Sequence, residues 1–162
     1  MDNTKNVFIS HHHKDDKSVS AFTDLLAGKD YNIRNSSIRV NEKNKERLEK
    51  KQIPKKTLER LLSMKMRWAG TVVVLIGTQT HSREWVNWEI DQAAKQGKRI
   101  IGVYINGASD SDIPESFEKY GNALVGWKSD RIIGAIDGSI NNWETPTGEP
   151  REGHWSPYRS TC

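Results

Sequence analysis

The 162-residue chain has little cysteine and no long apolar run. Its single cysteine, Cys162, is the last residue and cannot form an intrachain disulfide, so nothing points to an oxidising compartment. The first residues lack the apolar stretch of a signal peptide, and no segment approaches the roughly 20 apolar residues that span a bilayer. These absences predict a soluble, cytoplasmic protein with no membrane partner.

Phosphate-binding glycine loops and metal-binding motifs are also missing. Gly77 and Gly97 are isolated, and we interpret each as the end of a helix or strand. His11, His12 and His13 are neighbours in a predicted loop, where adjacent side chains cannot easily face one ion. No cysteine or paired acid completes a ligand set. The sequence therefore predicts no metal site and no resident cofactor.

The net charge of +4 is concentrated in one segment. Residues 42–60 contain eight Lys or Arg and four Glu, which equals the excess of the whole chain. Glutamates alternate with the basic residues, and no aromatic residues are interleaved to stack on bases. This pattern favours a solvated helical face over a nucleic-acid site, so we expect no nucleic-acid partner.

Predicted strands alternate with predicted helices along the chain, which indicates a parallel sheet. Strands are predicted at residues 6–10, 37–40, 71–76, 99–105 and 123–127. Helices are predicted between Asp15 and Gly28, from Pro54 through Met66, between Ser82 and Gly97, and over 131–137. We expect one α/β domain over residues 1–140, a flavodoxin-like three-layer sandwich whose five-stranded parallel sheet has the order 2-1-3-4-5 and helices on both faces. The tail, 141–162, carries two tryptophans and is expected to pack on this domain.

The helix after the third predicted strand carries an unusual carboxylate. Ser82 is the expected N-cap of this helix. Val86, Ile90 and Ala93 form its predicted core stripe, and Glu89 lies at the edge of that stripe, one turn beyond Trp85. A carboxylate at such an edge loses part of its hydration, which costs free energy and requires an explanation.

The predicted topology brings this helix close to the end of the first strand. In a sheet of order 2-1-3-4-5, ligands bind beyond the carboxyl ends of strands 1 and 3, where the strand order reverses. Strand 1 ends at Ser10, which is followed by His11. We therefore expect a cleft lined by Ser10, His11 and the helix face that bears Trp85 and Glu89.

Three segments resemble a known family. Val7-Phe8-Ile9-Ser10, the strand ending in Gly77, and Ser82-x-x-Trp85-x-x-x-Glu89-Ile90 together are similar to bacterial Toll/interleukin-1 receptor (TIR) domains. More narrowly, the segments 74–80, 83–90 and 98–103 resemble the TIR-like subunit of Thoeris antiphage systems. The resemblance covers residues 6–105.

The resemblance implies an enzyme. TIR proteins of this kind cleave NAD+ at the bond between nicotinamide and ribose, and a Thoeris subunit would make a cyclic ADP-ribose-type messenger for a separate effector protein. By this resemblance Glu89 is the catalytic glutamate, and Phe8, Ser10, His11 and Trp85 line the dinucleotide pocket. NAD+ is then a substrate, and self-association and a phage-derived trigger are also implied.

Other interpretations of the same residues stay open. From spacing alone, a glutamate beside a tryptophan on an amphipathic helix is more often a surface residue than a catalyst, and Phe8 and Trp85 could be ordinary core residues. Ser10 could simply cap a turn. Two other functions also fit: a non-catalytic TIR interaction module, and an enzyme like the nucleoside deoxyribosyltransferases, in which the glutamate is a covalent nucleophile.

Overall fold

A single sheet with helices on both faces forms the protein. The computed structural model describes residues 4–12, 16–36, 54–78, 80–105 and 107–151. Its strands are β1 (Lys5–Ser10), β2 (Ile33–Asn35), β3 (Thr71–Ile76), β4 (Arg99–Tyr104), β5 (Ala123–Val125), β6 (Trp143–Glu144) and β7 (Pro150–Arg151). They are ordered β2-β1-β3-β4-β5-β6-β7; the first six are parallel, and β7 runs antiparallel to β6.

The α/β class and the order 2-1-3-4-5 are confirmed, but the predicted number of five parallel strands is wrong. A sixth parallel strand, β6, pairs Trp143 with Leu124 of β5. The predicted boundary at residue 140 falls between the last helix and this strand. Two residues show no alternating pattern, which is why the sequence does not reveal the strand. The predicted strand at 37–40 lies outside the described residues, and β2 instead occupies Ile33–Asn35.

Five helices cover the two faces of the sheet in the described part of the chain. They are α1 (Asp16–Ala27), α2 (Lys55–Arg67), α3 (Glu84–Lys95), α4 (Glu115–Tyr120) and α5 (Ser129–Asp137). The short helix α4 was not predicted, because its six residues include too few apolar positions to show a helical period. No helix in the described ranges combines the length and apolarity needed to cross a membrane.

Alternation along the buried strands separates two cores. Helices α2, α3 and α4 pack on one face of the sheet, where Phe8 of β1 lies among their apolar side chains. Helices α1 and α5 pack on the other face, against Val7 and Ile9. Because successive side chains of a strand point to opposite faces, Phe8 and Ser10 share the α2–α3–α4 face. All six residues of β3 are buried, as expected of a central parallel strand.

Two arginines tie the last helix to the sixth strand. The Arg99 guanidinium donates hydrogen bonds to the carbonyl oxygens of Ala135 and Ile140 and to Asn141 Oδ1, each at 2.7 Å. Its partial burial lowers the pKa of Arg99. Arg131 donates from Nε to the buried Glu144 at 2.7 Å. These charge-assisted bonds direct the chain from α5 into β6.

We predict that Gly102→Ala destabilises the fold. A Cβ added at Gly102 in β4 would lie 2.8 Å from the Phe117 ring and 3.0 Å from Ile76 and Leu124. Such overpacking should lower the free energy of unfolding by about 1–3 kcal/mol, measured by urea denaturation. Gly70→Ala is the matched control, since nothing lies within 4 Å of its added Cβ. Equal losses in the two variants would contradict the packing described here.

Candidate functional site

The carboxyl end of β1 places Ser10 at the point where the strand order reverses. Ser10 is the last residue of β1 and lies in register with Val74 of the neighbouring β3. Its side chain is fully buried. Because β2 and β3 flank β1 on opposite sides, the edge beyond Ser10 is the ligand-binding edge of a doubly wound sheet. Ser10 therefore occupies the edge that the sequence predicts.

A structured turn joins β3 to the helix α3. The backbone N–H of Gly77 donates to Thr80 Oγ1 at 2.8 Å, and both residues are buried. A single 3-10 turn over Thr80–Ser82 follows. The prediction that Ser82 is the N-cap of α3 is wrong, because this extra turn moves the start of the helix to Glu84 and leaves Arg83 at the N-cap position without a side-chain cap bond. Glu84 in the first turn still complements the helix dipole.

Helix α3 buries its carboxylate completely. Val86, Ile90 and Ala93 are buried, which confirms the predicted core stripe. Glu89 has 0% exposure, so the expectation that it is half desolvated at the edge of the stripe is wrong. The stripe is wider than predicted because α2 and β1 also pack against this side of α3. A fully buried ionisable group requires strong local partners.

The side chains of Ser10 and Glu89 meet directly. Ser10 Oγ donates a hydrogen bond to Glu89 Oε1 at 2.8 Å, between residues 79 positions apart in the chain. A hydrogen bond from a hydroxyl to a carboxylate is charge-assisted and stronger than one between neutral groups. This bond links the end of the first strand to the middle of α3, and it is the contact that defines the candidate site.

Trp85 lines a surface hollow between α2 and α3. It is half-buried, and its ring makes an edge-to-face contact with Trp88, with ring centroids 5.3 Å apart. A hollow of about 250 Å³ is lined by Lys55, Glu84, Trp85, Asn87, Trp88 and Asp91. Lys55 donates to Glu84 Oε1 at 3.1 Å at this hollow. Trp88 shares this wall with Trp85.

The remaining predicted site residues lie close to β1 in sequence but differ in their surroundings. Phe8 is wholly buried in the core shared with α2 and α3. His11 and His12 directly follow β1 and are both buried. Within the ranges that the structure describes, no group of three or more His, Cys, Asp or Glu side chains is placed to hold a metal ion. Of the predicted residues, Ser10 and Glu89 are in direct contact.

Sequence reasoning missed two supporting polar side chains near this helix. Thr80 is buried and accepts the Gly77 N–H, which shapes the turn before α3. Asn87 accepts the Ser116 N–H of α4 at 3.0 Å and donates to the Arg83 carbonyl at 3.1 Å. Gly77 and Ser116 lie outside α3, so the spacing of residues along that helix does not identify the contacts that Thr80 and Asn87 make with them.

Comparison with known proteins identifies the family. Residues 8–110, more than half of the chain, match the family described as Thoeris protein ThsB, TIR-like domain. The β1 end, the buried strand β3 and the helix bearing Glu89 all fall within the matched range. The fold and site thus define a TIR-like α/β domain, and the chain belongs to the ThsB TIR-like family.

Individual matches are more partial. A protein of Bacillus cereus (strain MSX-D12) named "Putative cyclic ADP-D-ribose synthase ThsB1" is 38% identical over 65 residues, which cover 40% of this chain and 30% of that protein. The alignment thus spans less than a third of that relative's length. Among solved structures, the Clostridium botulinum CMP N-glycosidase BcmB has a TM-score of 0.48 and 13% identity, covering 84% of this chain and 100% of its own. A match at that level carries no argument about activity.

We predict measurable coupling between Ser10 and Glu89 in folding. Ser10→Ala, Glu89→Met and the double variant form a double-mutant cycle in urea denaturation. Each single variant leaves a buried polar group without this hydrogen bond, so the two single losses together should exceed the loss in the double variant by about 1–3 kcal/mol. Glu84→Met on the exposed side of the same helix is the control and should add to Ser10→Ala independently. Additive losses at Glu89 would argue against the bond.

Proposed function

We propose that the protein cleaves NAD+ at the nicotinamide–ribose bond and makes a cyclic ADP-ribose-type messenger in a Thoeris antiphage response. The observation that carries the proposal is the buried Glu89, held by Ser10 at the ligand-binding edge of the sheet. Membership of the ThsB TIR-like family supports the defence role. The name of the Bacillus cereus relative supports the type of product.

The chemistry explains how one glutamate can suffice. Glycoside hydrolysis ordinarily uses two carboxylates, because an alkoxide leaving group needs a proton from a general acid. Nicotinamide leaves NAD+ as a neutral base derived from a pyridinium cation, so no proton has to be supplied. The barrier that remains is the positive charge that develops at the ribose C1′. A fixed carboxylate beside that carbon stabilises this charge more in the transition state than in the ground state.

Burial increases the effect of such a carboxylate. Charges interact more strongly where water is excluded, and Glu89 lies among apolar side chains of α3 and β1. Trp85 would supply an aromatic wall for the substrate from one turn earlier on the same helix. His11, next to Ser10, would face the substrate from the end of β1. Phe8 would support this wall from the core beneath it.

The identity of the product depends on what attacks the ribosyl cation. Water gives ADP-ribose, whereas an oxygen or nitrogen atom of the same nucleotide gives a cyclic product. A site that excludes water favours the internal attack. The described residues form one sheet with helices on both faces, which fits a producer of a messenger that acts on a separate effector protein. Self-association and a phage-derived trigger belong to the same proposal.

We predict that Glu89→Gln lowers the rate of nicotinamide release about 10²- to 10³-fold, as the loss of a preorganised electrostatic group commonly does. The amide keeps the size of the side chain and can still accept the Ser10 hydrogen bond, so the fold should be preserved. The measurement is chromatography of NAD+ incubated with the pure protein, with and without lysate of phage-infected cells to supply a trigger.

The control for this prediction is Glu115→Gln, a substitution of the same type on an exposed side chain of α4. It should leave nicotinamide release unchanged. Mass spectrometry of small molecules from infected cells carrying each variant identifies the product. Antiphage protection that persists in Glu89→Gln cells would refute the enzymatic proposal and support a non-catalytic interaction module.

A further inference from the structure

We propose that Ser10 is a positioning residue that fixes the Glu89 carboxylate, and that it does not bind the dinucleotide directly. This inference rests on the proposed function of Glu89. It assigns Ser10 a different role from the substrate contact that the family resemblance implies. The contact that carries it is the 2.8 Å hydrogen bond from Ser10 Oγ to Glu89 Oε1, between two fully buried side chains.

Both partners are attached to rigid parts of the fold. Ser10 is the last residue of β1. This strand is hydrogen-bonded to β2 on one side and to β3 on the other. Glu89 lies in the second turn of α3, between Val86 and Ile90, which anchor the helix to the sheet. A bond between two anchored backbones can hold a side chain within the small tolerance that catalysis requires.

The Glu89 carboxylate needs such a partner because rotation about the terminal bond of its side chain costs little energy. The terminal dihedral of glutamate has a broad energy minimum, so packing against the aliphatic part of the chain does not fix the plane of the carboxylate. A hydroxyl bonded to one oxygen fixes that plane. Misplacement of a catalytic group by about 1 Å can cost 10²-fold in rate, so control of this plane matters for the reaction.

The hydrogen-bonding capacity of serine argues against a hydrogen bond donated by Ser10 to the substrate. A hydroxyl has one hydrogen to donate. Ser10 is the donor in the Ser10–Glu89 bond, and its only hydrogen is directed at Glu89. The same hydrogen cannot also bind a phosphate or ribose oxygen of NAD+. Ser10 acts on the substrate through the orientation of Glu89.

Steady-state kinetics with NAD+ tests this assignment. We expect Ser10→Ala to lower kcat about 10- to 100-fold while KM for NAD+ changes less than about threefold, because the carboxylate is misoriented but the binding surface stays intact. Ser10→Cys, which keeps the shape and a weak donor, should fall between Ser10→Ala and the original protein. Thr71→Val is the control. It removes a buried hydroxyl from the first residue of β3, at the end of the strand far from Ser10, and should leave kcat unchanged.

Calorimetry gives a second measurement that does not depend on turnover. The affinity for NAD+ is compared between Glu89→Gln and the double variant Ser10→Ala/Glu89→Gln. If Ser10 acts through Glu89, the two dissociation constants agree within about twofold, since no direct contact with NAD+ is lost. A dissociation constant at least tenfold higher in the double variant would overturn the assignment, because it would show that Ser10 binds the dinucleotide itself.

The outcomes separate this inference from the proposed function. If Glu89→Gln is inactive while Ser10→Ala keeps the original kcat, the positioning role is refuted and the catalytic role of Glu89 stands. If Ser10→Ala raises KM at unchanged kcat, Ser10 is a binding residue, and the positioning role is again refuted. If Glu89→Gln cleaves NAD+ at the original rate, the proposed function itself fails. Urea denaturation of each variant confirms that a loss of rate does not reflect unfolding.

Discussion

The hydrogen bond between Ser10 and Glu89 is the interaction on which the candidate site depends. It joins the end of the first strand to the helix that follows the third, and it places a polar pair between two apolar layers. Burial of a carboxylate is unfavourable unless hydrogen bonds compensate for lost hydration, so each partner makes the position of the other tolerable. The sheet order is what brings them together: β1 and β3 are neighbours, and their carboxyl ends share one edge. A slip of one residue in β1 would turn Ser10 to the other face of the sheet and away from α3.

Hydrogen bonds around this pair each fix the path of one segment of the chain. The Gly77–Thr80 bond shapes the exit from β3, and the 3-10 turn after it sets where α3 begins. Asn87 ties α3 to the start of α4 through the Ser116 N–H. At the far side of the sheet, Arg99 and Arg131 hold the chain between α5 and β6. The Gly77–Thr80 and Asn87–Ser116 bonds position α3, so the orientation of Glu89 depends on several contacts of the domain and not on a single loop.

Periodic and topological features of this fold could be predicted from the sequence, while features set by contacts between distant residues could not. The run at 71–76 and the spacing of Val86, Ile90 and Ala93 indicate a central strand and a packed helix, and both are confirmed. The alternation of strands with helices along the chain predicts the order 2-1-3-4-5, which places Ser10 near α3. The sixth strand is too short for any pattern, and its register depends on Leu124, 19 residues before Trp143. Complete burial of Glu89 also escaped prediction, because it depends on how closely β1 and α2 approach α3.

The burial of Glu89, where α3 packs on the sheet, is poorly explained by stability alone. An apolar residue of similar volume would fill the same space without the cost of dehydrating a carboxylate, and buried polar pairs can often be replaced by apolar ones without loss of stability. A functional role gives a better explanation for a carboxyl group at this position, since energetically costly groups concentrate at sites where their chemistry is used. The position of this pair strengthens the argument: it lies at the one sheet edge where doubly wound folds bind ligands, and not at the opposite edge, where a purely structural pair would serve equally well. The same reasoning separates Glu89 from Glu144, which is also buried but is bonded to Arg131 and anchors the sixth strand. The bond to Arg131 accounts for the burial of Glu144 in structural terms, whereas Glu89 is bonded to Ser10 at the sheet edge where doubly wound folds bind ligands.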